Sequence, residues 1–122
     1  MWQRETFKKI KQIPGEEHVL PGSALCAGCG GLEPLRLAAK VLGDGVVYVN
    51  AAGSAPAGAQ GVRDALDVLI AKGRLPKSEN LKVVVLGGDG STYDMALSST
   101  SGAMNRGLDF YCICYDNEAY GN

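Results

Sequence analysis

The sequence predicts an α/β protein with a mainly parallel sheet flanked by helices, and two observations carry that prediction. The run LKVVVLGG (Leu81 to Gly88) is almost continuously apolar and of strand length, as in a parallel strand covered on both faces. Short β-branched or aromatic runs also alternate with longer segments of helical period, at the spacing of βαβ units.

The elements follow in order. Residues 1–20 are polar and mixed and are expected to form an N-terminal arm. PGSALCAGCGG (Pro21 to Gly31) is a glycine-rich loop. In LEPLRLAAKVLG, Leu32, Leu35, Ala38, Ala39 and Leu42 share one helical face. Pro34 suits a first turn, and Gly43 suits the position just past a helix end. VVYVN (Val46 to Asn50) is a short strand, and AAGSAPAGA a loop of small residues. GVRDALDVLIAKG is amphipathic, with Val62, Leu66, Leu69 and Ile70 on one side, and Gly73 and Pro76 close it. After Leu81 to Gly88, TYDMALSSTSGAMNRG is helical, with Leu97, Thr100 and Met104 along one stripe. FYCICYD (Phe110 to Asp116) is the last strand. No repeat or linker interrupts the chain, so one α/β domain is expected over residues 1–122.

Composition narrows the function. An apolar fraction of 46% and a charged fraction of 20% suit a globular domain. With 12 basic and 13 acidic residues the net charge is −1, which gives no basic field for nucleic acid. The apolar runs are too short to span a bilayer, and MWQRETFKKIKQIPGEE lacks the apolar centre of a signal peptide, so a cytoplasmic protein is expected, without membrane partners. Seventeen glycines point to tight turns and to backbone brought close to a ligand. Four cysteines in two close pairs favour metal or cluster chemistry in a reducing setting over a disulfide framework.

The triplet Gly-Asp-Gly occurs twice, at Asp44 and at Asp89. In an open α/β sheet, ligands gather beyond the carboxyl ends of the strands. Asp89 follows a strand and precedes a helix, whereas Asp44 follows a helix and precedes a strand. Position therefore selects Asp89 as the functional copy and leaves Asp44 as a turn. Gly88 and Gly90 let the backbone approach a bulky anion, and Ser91 and Thr92 open a helix whose free N–H groups attract phosphate. A carboxylate beside a phosphate needs a cation between them, and Mg²⁺, a hard ion that takes oxygen from one or two protein groups and from phosphates, fits. The alternative is a plain turn with Asp89 capping the helix. YDNEAYGN (Tyr115 to Asn122) follows the next strand at the same edge. It offers the Asn117 amide oxygen to Mg²⁺ and the Asn122 amide to a phosphate; its alternative is a polar loop.

GGDGSTYDMALSSTSGAMNRGLDFYCICYDNEAYGN resembles the thiamine-diphosphate signature, a Gly-Asp-Gly turn followed by an Asn-bearing turn. With CAGCG upstream and the ending DNEAYGN, the chain from about Leu20 to Asn122 resembles the β subunit of 2-oxoacid:ferredoxin oxidoreductases, the pyruvate:ferredoxin oxidoreductase group. The resemblance implies a Rossmann-like thiamine-diphosphate domain. Asp89, the Asn117 side chain and the Ala119 carbonyl would hold Mg²⁺. Gly88, Gly90 and Ser91 would line the diphosphate site, and Gly28 and Cys29 would also meet the cofactor. Asn122 would touch the diphosphate and act near the thiazolium. It further implies oxidative decarboxylation of a 2-oxoacid (pyruvate, or another such as oxalate). Electrons would pass through a [4Fe–4S] cluster to ferredoxin, with coenzyme A as the usual acyl acceptor. The glutamate that activates the cofactor would come from a partner subunit.

Cys26 and Cys29 form C-x-x-C, which by itself fits half a zinc site, a redox pair or two buried thiols as well as a cluster. By the resemblance they hold the [4Fe–4S] cluster, which needs four thiolates. The family places a third cysteine in a turn like NAAGS, where this chain has Ser54, and a fourth beyond residue 122. The family subunit is longer and carries an extra segment after that turn. A segment missing after Gly53, and a missing C-terminal part, are therefore expected. Cys112 and Cys114 alternate along one strand, point to one face and are expected to be buried filler. His18 is expected to be a solvated surface residue, and Asp94 to complete a capping box with Ser91. Rival functions are a thiamine enzyme without a cluster, a metal-binding interaction module built on Cys26 and Cys29, and a generic nucleotide-binding domain; no G-x-G-x-x-G or P-loop pattern follows a strand.

Overall fold

The computed structural model describes residues 9–22, 28–50, 53–77, 81–107 and 109–119. The chain forms two compact units, Met1–Asp44 and Gly45–Asn122.

The first unit holds a 3-10 turn (Ile10–Gln12), an irregular stretch over residues 13–22 and helix α1 (Leu32–Leu42). Ala39 is buried, and the other apolar residues of the expected face are half-buried, while Leu37 and Val41 face out. Gly43 closes the helix with φ 64, and its N–H donates to the Ala39 carbonyl, as the glycine predicted. Charge holds the irregular stretch to the helix. The Glu17 carboxylate accepts from the Arg36 guanidinium at 2.7 Å and lies 3.5 Å from Lys40 Nζ. His18 is largely covered, with Nδ1 3.7 Å from an Asp44 oxygen, so the expectation of a solvated histidine is corrected: its ring has a carboxylate neighbour.

The second unit runs β1 (Val46–Val49), α2 (Ala55–Ala71), β2 (Lys82–Gly88), a π-helical turn (Gly90–Met95), α3 (Leu97–Arg106) and β3 (Tyr111–Tyr115). The strands form a parallel sheet in the order β1-β2-β3, and α2 packs on β1 and β2. The α/β class with a parallel sheet and flanking helices is thus the one the alternating pattern predicted. Central β2 organises the unit. Val83 and Val85 meet Ala55 and Ala59 of α2, and Val84 and Leu86, on the other face, are buried too. Each such side chain contributes about 1.5–3 kcal/mol on burial.

Two expectations about the helices need correction. Helix α2 begins at Ala55, inside the stretch expected to be a loop. Pro56 fits its first turn, and the small residues let the helix lie close to the sheet: a β-carbon at Gly58 would stand 3.2 Å from Val49 Cγ1. The stripe expected along α3 holds only at Thr100, which is buried with Ala103; Leu97 (57% exposed) and Met104 (69%) face outward. Arg63, buried on α2, donates to Asp67 at 2.6 Å and to the Leu81 carbonyl at 3.5 Å, which anchors the helix to the entry of β2, away from the strand ends that concern function.

Candidate functional site

Register brings the expected groups together. Gly88 pairs with Tyr115, so Asp89 and Asn117 lie one and two residues past adjacent ends of neighbouring strands, strands spaced about 4.8 Å apart. The loop after β1, the turn after β2 and the loop after β3 share this rim.

Asp89 starts a helical turn rather than capping one. Its φ and ψ are −58° and −50°, and its carboxylate makes no cap hydrogen bond. A capping Asp has extended backbone and accepts from the N–H two or three residues on. The turn that follows is π-helical, a rare, wide geometry frequent at functional sites. Asp89 is half-buried at its mouth.

The two glycines before Asp89 have a packing role that spacing did not disclose. A β-carbon at Gly87 would stand 2.9 Å from Thr92 Oγ1, and one at Gly88 would stand 3.2 Å from the Tyr115 ring. The places of the missing β-carbons are taken by Thr92 of the following turn and by Tyr115 of the neighbouring strand. The Ser91 hydroxyl accepts the Gly53 N–H at 3.2 Å. That bond ties the loop after β1 to the turn after β2. The hydroxyl proton of Ser91 stays available to an anion at the rim.

On the third loop, Asp116 Oδ1 accepts from the Glu118 N–H and Asn117 Oδ1 from the Ala119 N–H, each at 3.2 Å. Glu118 has φ 52°, the left-handed region. These two Asx turns fix the loop's shape and still leave a lone pair on Asn117 Oδ1. A carboxylate, an amide oxygen and the Ala119 carbonyl make a hard-oxygen donor set, which fits Mg²⁺ and not a thiophilic metal.

Cys112 and Cys114 share a face, as alternation predicted, but they are not buried filler. Strand β3 pairs on one side only among the described residues, so Cys112 is exposed and Cys114 half-buried. Cys112 opens onto an apolar groove with Pro56, Met104 and Phe110, and partial desolvation there, with Cys114 beside it, pushes its thiol pKa up. The neighbourhood of Cys114, with Asp116 and Cys112 nearby, holds the Tyr93 phenol above its usual range.

Gly28 (φ 72°) and Cys29 lie in the loop before α1 in the first unit, where the Cys29 carbonyl accepts the Leu32 N–H. Cys26 and Asn122 lie outside the described residues. Among the described residues no three His, Cys, Asp or Glu side chains converge on a metal position, and no helix is long and apolar enough to cross a membrane. Gly53, Tyr93 and Cys114 are the rim residues that sequence reasoning missed. The Gly53–Ser91 bond spans 38 positions and has no motif.

A parallel sheet with an uncapped carboxylate, a shaped Asn turn and small-residue loops at one rim defines an α/β domain with a candidate ligand site beyond its strand ends. Residues 36–122 match the thiamine pyrophosphate enzyme family, C-terminal TPP binding domain, and the chain belongs to that family. Among curated relatives, pyruvate synthase subunit PorB of Methanothermobacter thermautotrophicus is 41% identical over 91% of this chain and 44% of its own length. Subunit PorB of Methanocaldococcus jannaschii is 35% identical over 93% of this chain and 46% of its own. Ketoisovalerate oxidoreductase subunit VorB of Pyrococcus furiosus is 35% identical over 97% and 45%. The chain thus spans less than half the length of these relatives.

Proposed function

We propose that this chain is the thiamine-diphosphate-binding part of a 2-oxoacid:ferredoxin oxidoreductase β subunit. One observation carries it: Asp89, in the Gly-Asp-Gly turn of a thiamine-diphosphate domain, makes no capping bond and follows the end of the strand adjacent to the one that Asn117 follows. Asp89, the Asn117 amide oxygen and the Ala119 carbonyl hold Mg²⁺. Gly88, Gly90 and Ser91 line the diphosphate, and Asn122 would touch the diphosphate near the thiazolium. Thiamine diphosphate, when bound, supplies the electron sink that decarboxylation of a 2-oxoacid needs. The chain's own residues anchor the diphosphate end and keep the rim fixed.

Gly28 and Cys29 are cofactor-binding residues, and Cys26 and Cys29 supply two thiolates of a [4Fe–4S] cluster. The other two come from residues this sequence lacks. In support, the Methanothermobacter match is 135 residues long but covers 91% of these 122, so the relative carries positions within the match that have no counterpart here. The relatives named as pyruvate synthase and ketoisovalerate oxidoreductase subunits favour a 2-oxoacid substrate. The same names favour work alongside other subunits, one of which supplies the activating glutamate. Electrons go to ferredoxin, in the cytoplasm, with coenzyme A as acyl acceptor where an acyl group remains.

The test is anaerobic isolation of the protein with its natural partners, with thiamine, iron and sulfide assayed together. All three are expected. Thiamine without iron would leave a thiamine enzyme lacking the cluster, and zinc without thiamine would overturn the proposal in favour of a metal-binding module.

A further inference from the structure

We propose that Thr100 is a positioning residue for the metal site, whose buried hydroxyl keeps open the wide turn that presents Asp89. This role rests on the metal–diphosphate reading of the rim. Two elements fix the ends of that turn. Strand β2 sets where Asp89 leaves the sheet, and α3 is seated by its buried Thr100 and Ala103. An α-helix turns by about 100° per residue. A turn that closed by one residue would therefore swing Asp89 out of line with Asn117.

The extra width shows in the hydrogen bonds. The Ala96 N–H donates to the Ser91 carbonyl at 2.9 Å, five residues back. In an α-helix it would donate four residues back, to the Thr92 carbonyl. That carbonyl has lost its α-helical donor, and the Thr100 hydroxyl donates to it at 3.3 Å. A helical serine or threonine ordinarily bonds a carbonyl three or four residues back. Ser99 does so, donating to the Ala96 carbonyl at 3.0 Å. Thr100 reaches eight back, to the carbonyl that the wide turn frees. Thr92 and Thr100 are both buried, where a carbonyl left without a donor is costly. The Thr92 side chain also fills the place of the missing Gly87 side chain, and Ser91 is held by its hydroxyl to Gly53. The turn is thus pinned at residues 91 and 92, and Asp89 stands three residues before Thr92. Thr100 acts through Thr92 and not on the cofactor.

The test uses the assembled protein. Calorimetry gives the dissociation constant of thiamine diphosphate and the apparent affinity for Mg²⁺ in wild type, Thr100→Val, Thr100→Ser, Thr100→Ala and Ala103→Gly. Thr100→Val keeps the shape and removes the hydroxyl. Thr100→Ser and Thr100→Ala differ only by the hydroxyl, and they repeat the comparison should the valine variant fail to fold. Ala103→Gly weakens the same helix at a buried position that makes no bond to the turn. Thr100→Val is expected to weaken Mg²⁺ binding by about 3- to 10-fold, the worth of one hydrogen bond. Thr100→Ala should fall below Thr100→Ser by a similar factor, and Ala103→Gly should stay close to wild type. In turnover, the Mg²⁺ concentration for half-maximal rate should rise in Thr100→Val while kcat at saturation holds, a split that a general loss of fold would not give. Wild-type affinity in Thr100→Val, equal affinities in Thr100→Ser and Thr100→Ala, or an equal loss in Ala103→Gly would overturn the positioning role and leave the site intact. A wild-type protein that binds no thiamine diphosphate would instead overturn the site, and this role with it.

Discussion

The two Gly-Asp-Gly triplets use the same three residues for different physical reasons. Around Asp44 the glycines are needed for their backbone: Gly43 has φ 64° and ψ −151°, and Gly45 has φ 80°. A side chain there is strained whatever the space. Around Asp89 the need is for room, since Gly88 has an ordinary φ and the Tyr115 ring occupies the place of its missing β-carbon. The carboxylates differ in the same way. Asp44 is fully exposed beside His18, while Asp89 is half-buried at the start of a π-helical turn without a capping bond. A triplet that ends a helix spends its glycines on chain reversal. One that ends a strand spends them on packing, and that packing presents the carboxylate.

The largest expected effect breaks the comparison at its centre. Asp89→Ala should abolish Mg²⁺-dependent binding of thiamine diphosphate. Changes to groups that merely support a ligand cost roughly 10–100-fold, so losing a direct one should cost more. Asp44→Ala should leave the affinity close to wild type. Equal losses in a calorimetric titration of the two variants would erase the distinction.

The glycines give the next effect. Gly87→Ala places a methyl group 2.9 Å from Thr92 Oγ1 in a packed turn, with an overpacking cost of about 1–3 kcal/mol. Gly43→Ala forces a residue into a region nearly restricted to glycine, at a cost of similar size, about 1–3 kcal/mol. Denaturant titration should therefore find both variants destabilised. Cofactor titration should separate them, because only Gly87→Ala disturbs the turn that carries Asp89. A smaller change is expected from Ser91→Ala, which strands the Gly53 N–H and costs about 1 kcal/mol. It should weaken diphosphate binding several-fold, and Ser91→Thr should restore part of it.

How much of this was legible in the sequence follows from the range of the forces involved. Strand β2, the parallel sheet and Asp89 were readable because apolar runs and strand-to-helix turns are local patterns. Helix α2 was begun too late because alanine, glycine and proline look like a loop until a sheet lies beneath them, where small size becomes the reason for close packing at Ala55 and Ala59. Cys112 and Cys114 were placed on the right face but at the wrong depth. Alternation fixes direction, while burial depends on whether a neighbouring strand or helix covers the edge. The contact Gly53–Ser91 joins residues far apart in the chain, and no spacing rule encodes it.

The smallest effect sharpens the comparison from the side of the first triplet, whose unit is ordered by surface charge. Arg36 holds the Glu17 carboxyl at about 2 instead of its ordinary 4.5, chiefly through their hydrogen bond, with Lys40 adding attraction. A carboxyl whose pKa is lowered by folding stabilises the folded state above its unfolded value, so this contribution is whole above pH 4.5 and is lost as the pH falls toward about 2. Carbon-13 NMR of the side-chain carboxyl should give a midpoint near the lower value in the wild type. In Arg36→Gln the midpoint should move back toward 4.5, with amide shifts changing along residues 15–18 and around α1. The Glu17–Arg36 pair lies at the surface, so salt should weaken the tie and raise the midpoint. At neutral pH neither Arg36→Gln nor Glu17→Gln should alter thiamine diphosphate affinity. A cofactor-affinity change in either variant would mean that the charges around the first triplet also serve the second, and that the difference in their roles is one of degree.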